Sequence, residues 1–121
     1  LKYKYMVLDE VKLQCGILGY KYSNEYLSLE ADGVLTISYG YRWDGATGAL
    51  DTSTFTLPSL VHDALYQLMR EGVFPASPYR KHADWLLYVI AKESGMWFGR
   101  RAWVWGVVRL LGGNAAAVPK Y

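Results

Sequence analysis

The chain has 121 residues, of which 52% are hydrophobic, enough for one domain with a buried core and too apolar for a disordered tail. A formal net charge of +2 and the lack of a basic run argue against nucleic acid as a partner. A single cysteine, Cys15, excludes an internal disulfide framework. The sequence shows no apolar signal-peptide core and no stretch apolar enough to cross a bilayer, so we expect neither a signal peptide nor a transmembrane helix.

Alternating apolar and polar residues predict β structure in the first half of the chain. The clearest pattern is YLSLEADGVLTISYGY, in which two alternating runs meet at Asp32-Gly33. Because Asp-Gly between such runs is a strong hairpin signal, we expect strands near 26–30 and 34–41. The alternation is lost over 41–56, a Gly-rich stretch that predicts a long loop, and long ordered loops are often functional.

Two helices are predicted in the second half of the chain. Pro58 suits the first turn of one helix, and Gly72 suits the position just past its end. The second helix is bracketed in the same way by Ser77 as its cap, Pro78 in its first turn and Gly95 at its end. Both segments carry apolar residues at helical spacing. The predicted stripes are Leu60, Val61, Ala64, Leu65, Leu68 and Met69, and then Ala83, Leu86, Leu87, Ile90 and Ala91.

A third helix is expected at about 97–111, and it is rich in aromatic residues. Trp97, Trp103 and Trp105 spread around this helix instead of forming one stripe, which indicates burial on several sides or docking on a partner. We expect the aromatic surface to bind other proteins or a second copy of the chain. Arginines in the same helix keep an anionic membrane surface open as an alternative. They are Arg100, Arg101 and Arg109.

Strands followed by helices indicate an α+β fold. We predict a single domain over residues 1–121, with an N-terminal antiparallel β-sheet built from hairpins and then the Gly-rich loop. An antiparallel helical hairpin and a third C-terminal helix follow. Residues 1–56 are expected to be mostly β, 57–112 helical and 113–121 an extended tail.

A candidate site lies on the two predicted helices of the hairpin. His62 and Tyr66 are four residues apart and share one helix face. The short link 72–77 makes the next helix an antiparallel neighbour, which brings Asp84 to about the level of His62. If Asp84 accepts a hydrogen bond from one ring nitrogen of His62, this bond fixes the tautomer of the imidazole and leaves its other nitrogen as a general base. Arg80, four residues before Asp84, could keep that carboxylate charged.

Each of these residues also has a purely structural interpretation. His62 could be a buried histidine satisfied by Asp84 or by a loop carbonyl, and Tyr66 a core residue with a hydrogen-bonded tip. Asp63 could be a staple whose carboxylate accepts backbone N–H groups from loop 43–48. Alternatively, Asp63 could bind a hard cation such as Ca²⁺ together with carbonyls of that loop.

The segments VHDALY and ADWLLY resemble the active-site helix pair of secreted phospholipase A2 enzymes over roughly residues 41–90. The resemblance implies a histidine that activates water, two residues that orient it, and a calcium ion held by an aspartate and loop carbonyls. That family uses several disulfides and a Cys-Gly-x-Gly loop, which this chain lacks. The implied residues are His62, Asp84 and Tyr66 for catalysis, and Asp63 with the backbone carbonyls of Trp43 and Gly45 for calcium.

A second resemblance covers more of the chain. YRWDGATG, LVHDALYQL and RKHADWLL, in this order, are similar to a small phage and prophage family, domain of unknown function 1353. The resemblance implies a phage or prophage origin, and hence a place in the virion or the host cytoplasm, without implying a reaction.

Two functional hypotheses follow from the sequence. In the first, the chain is a phage structural or assembly protein, for example of the tail or neck. The His62, Asp63 and Asp84 side chains then lock the loop to the helices, and the aromatic surface binds other phage structural proteins. In the second, the chain is a calcium-dependent lipid or ester hydrolase that uses the same residues.

Overall fold

The computed structural model of the chain describes residues 5–43 and 53–95, together with 101, 102, 105, 106 and 109. These residues form antiparallel strands followed by two helices, which confirms the predicted α+β class. The chain divides into two compact units, residues 1–44, here called the sheet unit, and residues 45–121, here called the helical unit. Their organisation as a single domain stays a prediction.

The sheet unit contains two antiparallel sheets. In the larger sheet the strand order is β2-β5-β4-β3, and in the smaller one β1 pairs with β6. The predicted hairpin is the β4–β5 pair, and both of its strands are shorter than the sequence indicated. The strands are β1 (Tyr5–Met6), β2 (Val11–Gln14), β3 (Tyr22–Ser23), β4 (Leu27–Leu29), β5 (Val34–Ile37) and β6 (Arg42–Trp43).

The turn of this hairpin depends on the Asp-Gly pair. Gly33 has φ +91°, a backbone conformation that residues with a Cβ rarely adopt. A Cβ at Gly33 would also lie 2.1 Å from Oε1 of Gln14, so the Gln14 amide would have to move to admit it. Asp32 stabilises the turn because its Oδ1 accepts a hydrogen bond from the Val34 N–H at 3.1 Å.

Alternation along β4 and β5 buries one face of the hairpin. Side chains of a strand point to opposite faces in turn, so every second residue lies on the same face. On the buried face the relative exposure of every residue is 1% or less, and the residues between them are half-buried. The buried residues are Leu27, Leu29, Leu35 and Ile37.

The first helix, α1, spans Ser53–Arg70 and begins earlier than the sequence indicated. Pro58 therefore lies inside the helix, and its predicted place in the first turn was wrong. A proline lacks the N–H that would bond to the carbonyl four residues earlier, so it interrupts one hydrogen bond near the start of the helix. Both ends of the predicted loop belong to regular elements, because Arg42–Trp43 form β6 and the helix already includes 53–56.

The end of α1 was predicted correctly. Gly72 follows the helix with φ +79°, the left-handed conformation typical of a helix C-terminus. The N–H of Val73 donates to the carbonyl of Leu68 at 3.0 Å, and the N–H of Gly72 donates to that of Met69 at 3.0 Å. These two bonds satisfy carbonyls that the end of the helix leaves without intrahelical donors.

The second helix, α2, spans Ala76–Glu93. Ser77 has extended backbone angles, φ −101° and ψ 119°, so regular helical geometry begins at Pro78 as predicted. At the other end, Ser94 donates its N–H to the carbonyl of Ile90 at 2.9 Å, and Gly95 follows with φ +94°. Pro78 and Gly95 are thus confirmed as residues that bracket the regular part of this helix. The predicted role of Ser77 as the cap was wrong, because the N-cap is Pro75 and makes no side-chain cap hydrogen bond.

The two helices pack against each other through their buried faces. All six residues of the predicted stripe on α1 are buried. On α2 the stripe is narrower than predicted, because Leu86 and Ile90 are only half-buried and a carboxylate, Asp84, joins the buried face. The buried residues of α2 are Ala83, Asp84, Leu87 and Ala91.

Several predicted features lie outside the described residues. They are most of the third helix at 97–111, the tail at 113–121 and the Gly-rich segment 44–50. Within the described part of the chain, neither helix combines the length and hydropathy that a membrane-spanning helix requires.

Candidate functional site

The helical hairpin brings the three predicted catalytic residues together. Nε2 of His62 lies 2.7 Å from Oδ1 of Asp84, and the hydroxyl of Tyr66 donates to the same oxygen at 2.5 Å. Helical spacing brings the rings of His62 and Tyr66 into contact, with centroids 4.1 Å apart and planes inclined by 38°. The predicted contact between His62 and Asp84 is therefore present, whereas the catalytic role of these residues stays a prediction.

A fourth residue, Arg109, completes the site, and no pattern in the sequence predicts it. Its Nη1 donates to Oδ2 of Asp84 at 2.9 Å. The sequence had instead suggested Arg80 as the cation for Asp84, but Arg80 donates from Nη2 to the backbone carbonyl of Arg109 at 2.5 Å. We call four residues the polar cluster: His62, Tyr66, Asp84 and Arg109.

Asp84 is the acceptor at the centre of the polar cluster. It is fully buried, and its two oxygens accept hydrogen bonds from all three other members. Burial acts to raise the pKa of the Asp84 carboxyl, but the hydrogen bonds from the three donors outweigh burial and lower the pKa below its ordinary value. Asp84 is thus an ionised carboxylate at neutral pH.

The ionised state of Asp84 fixes the proton positions of its partners. An ionised carboxylate only accepts hydrogen bonds, so Nε2 of His62 must carry a proton. In the neutral imidazole Nδ1 is then the unprotonated nitrogen. Burial and the hydrogen bond to Asp84 both raise the pKa of Tyr66 well above its ordinary value, so its hydroxyl keeps its proton and acts as a donor.

Two features of the polar cluster bear on catalysis in opposite ways. An imidazole oriented by a carboxylate is an arrangement that general bases use. However, Arg109 compensates the negative charge of Asp84, which reduces the support that the carboxylate would give to an imidazolium. His62 is also only 6% exposed, so few reactants could reach its ring.

The residues predicted to bind calcium lie partly in different units and partly outside the described residues. Asp63 is half-buried on α1 and is rotated by about 100° from His62 around the helix axis. Trp43 is buried in β6 of the sheet unit, where it pairs with Tyr5, and Gly45 lies outside the described residues. Among the described residues, no group of three or more His, Cys, Asp or Glu side chains could hold a metal ion. Calcium binding stays a prediction.

Cys15 is a structural residue of the sheet unit. It is 1% exposed, and burial raises the pKa of its thiol. The thiolate, which is the reactive form, is therefore disfavoured.

An aromatic pair on the outer face of α2 was not anticipated from the sequence. Trp85 is 53% exposed and stacks on Tyr88, with ring centroids 5.1 Å apart and planes inclined by 12°. The guanidinium carbon of Arg101 lies 5.3 Å from the centroid of the Tyr88 ring, within the range of a cation–π contact. Sequence reasoning had placed the aromatic surface on the third helix alone.

Comparisons of the chain with protein-family models, with curated proteins and with solved structures returned no significant match. Any functional assignment therefore depends on the residues and geometry described above.

Proposed function

We propose that the chain is a phage-derived structural or assembly protein in which the polar cluster locks the helical unit into one packing arrangement. The observation that carries the proposal is the complete burial of Asp84 with hydrogen bonds to both of its oxygens. The phage origin is supported by the three motifs that resemble domain of unknown function 1353.

A buried carboxylate favours a lock because its partners are specific. An alternative register of α2 on α1 would separate Asp84 from His62 and Tyr66 and leave a charge buried without donors. Breaking a buried charged pair in this way costs about 3–5 kcal/mol, a large part of the stability of a small domain. Arg109 extends the lock beyond the hairpin, because it makes two hydrogen bonds to α2. Its Nη1 donates to Asp84, and its backbone carbonyl accepts from Arg80.

The exposed aromatic pair supports a role in assembly. Tyr and Trp are enriched at protein interfaces, where they provide a large contact area with little loss of side-chain entropy. We infer that Trp85 and Tyr88 bind another phage structural protein or a second copy of the chain, in the virion or in the host cytoplasm. Light scattering of wild type and Trp85→Ser at increasing concentration tests self-association, and immunodetection in purified particles tests the virion role.

A second candidate function is a calcium-dependent lipid or ester hydrolase. It is favoured by one specific observation, the two bonds that His62 Nε2 and the Tyr66 hydroxyl make to the same oxygen of Asp84. This arrangement supports the resemblance of the helix pair to secreted phospholipase A2. Nδ1 of His62 would then take the proton from water, and Asp63 with the loop carbonyls would hold calcium.

One experiment separates the two candidates. Hydrolysis of a phospholipid and of a short-chain ester is measured with calcium and with a chelator, for wild type, His62→Gln and the control His82→Gln. His82 is the second histidine of the chain and lies outside the polar cluster. Chelator-sensitive turnover in wild type and the control, lost in His62→Gln, would establish the hydrolase. No turnover in wild type, with only His62→Gln less stable, would support the lock.

Asp63→Ala provides an independent discrimination. If Asp63 is a bonded staple, its removal should lower the free energy of unfolding by about 1–3 kcal/mol in the absence of calcium. If Asp63 is a calcium ligand, the variant should melt like wild type without calcium and lose the stabilisation that calcium gives to wild type. Thermal melts with calcium and with chelator measure both effects.

A further inference from the structure

A pocket of about 340 Å³ opens at the start of α2. Its volume is at the lower end of the range for small-molecule binding sites. The pocket lies within the helical unit and shares Arg109 with the polar cluster. The described residues that line it are Ala76, Ser77, Pro78, Arg80, Lys81 and Arg109.

The lining is strongly cationic. Arg80, Lys81 and Arg109 each carry a positive charge, and no carboxylate is among the described lining residues. The Asp84 charge compensates that of Arg109, whereas Lys81 is exposed at the pocket. The pocket also includes the beginning of α2, where the helix dipole adds a partial positive charge.

The two arginines are held in position by contacts within the helical unit. Arg80 donates to the carbonyl of Arg109, and Nη1 of Arg109 donates to Asp84. A guanidinium has five N–H donors, so the bond to Asp84 does not exhaust the capacity of Arg109. Planar guanidinium groups match the geometry of phosphate oxygens, and fixing them beforehand reduces the entropy lost on binding.

We propose that this pocket binds the phosphate group of a small phosphorylated compound or of a phospholipid headgroup. Arg80 and Arg109 form its fixed wall, and Lys81 provides an exposed ammonium that closes on the bound phosphate. This site goes beyond the proposed function and does not rest on it, because neither the lock nor hydrolysis requires an anion at the start of α2.

Lys81 is the best position for a test, since it is exposed and lies outside the polar cluster. The matched control is Lys92, which is also exposed and lies in the last turn of α2, roughly 16 Å further along the helix axis. Lys81→Gln and Lys92→Gln remove the same charge, so a general electrostatic effect would weaken binding in both. Arg80→Gln is a second variant, used after its melting has been compared with that of wild type.

The experiment is calorimetric titration with inorganic phosphate at low ionic strength. We expect saturable binding to wild type and to Lys92→Gln, and a Kd raised by about three- to tenfold in Lys81→Gln, as for the loss of one charge-assisted hydrogen bond. Cosedimentation with phosphatidylglycerol vesicles, with and without competing phosphate, distinguishes a lipid headgroup from a free phosphorylated compound. The proposal is overturned if neither phosphate nor vesicles bind, or if both lysine variants weaken binding equally.

Discussion

Replacing Asp84 by alanine removes the acceptor on which the polar cluster is built. The variant leaves the Nε2–H of His62 and the hydroxyl of Tyr66 without their common partner, and these side chains are 6% and 3% exposed. A buried donor that loses its partner costs about 1–3 kcal/mol. Arg109 contributes less, because 28% of its side chain is exposed and water can replace part of the lost contact.

Together these losses lead us to expect that Asp84→Ala lowers the free energy of unfolding by about 3–5 kcal/mol, the range for a broken buried ion pair. With a urea m-value of about 2 kcal/mol/M, the unfolding midpoint should fall by about 2 M. Urea denaturation followed by far-UV circular dichroism measures this shift. An unchanged m-value would show that the variant changes stability alone and not the compactness of either state.

The control is Glu93→Ala, which removes a carboxylate from the exposed end of the same helix and should leave the midpoint unchanged. A double-mutant cycle provides a stricter test. Asp84→Ala should cost less in a Tyr66→Phe background, because one of the donors left unpaired is already absent. A loss of less than about 1 kcal/mol for Asp84→Ala would refute the claim that these hydrogen bonds lock the helices.

The remaining predictions concern pH and thiol reactivity. The pKa of Tyr66 is raised in the folded chain, so its stabilising effect is complete below its unfolded pKa of about 10 and is lost as pH rises above that value. Denaturation is measured between pH 8 and 12, in roughly one-unit steps around that pKa. The free energy of unfolding should fall more steeply with rising pH for wild type than for Tyr66→Phe. The pKa of Asp84 is lowered, so its stabilising effect is present above about pH 4 and is lost as pH falls further. The difference in stability between wild type and Asp84→Asn should therefore shrink in acid. A constant difference would argue against an ionised Asp84. The thiol of Cys15 should react with a thiol reagent only after unfolding, and rapid labelling of the native chain would contradict its burial.

Local signals in the sequence were sufficient to predict the hairpin and most of the helix ends. The Asp-Gly turn between alternating runs predicted the β4–β5 pair, because its chemistry and period are contained in a few neighbouring residues. Gly72 and Gly95 predicted the ends of α1 and α2 for the same reason. The start of α1 was missed because proline is most common at the first helical position, whereas Pro58 lies beyond the first turn of this helix.

The candidate site was predictable only where two helices joined by a short link set the geometry. The four-residue spacing of His62 and Tyr66, together with an antiparallel hairpin, was enough to place both against Asp84. The contact from Arg109 could not be inferred, since it joins residues 25 positions apart that no periodic pattern connects. The exposed position of Trp85 was also missed, because the identity of an aromatic residue does not by itself show whether it is buried.

The hydrogen bond between His62 and Asp84 is the contact on which both functional candidates depend, and the nitrogen resonances of the imidazole report on it directly. Nuclear magnetic resonance of the ¹⁵N-labelled chain, with His82→Gln used to assign the signals, can show which ring nitrogen carries a proton. The account predicts a protonated Nε2 in His62, whose signal shifts in Asp84→Asn. An unprotonated Nε2 in the native chain would contradict it.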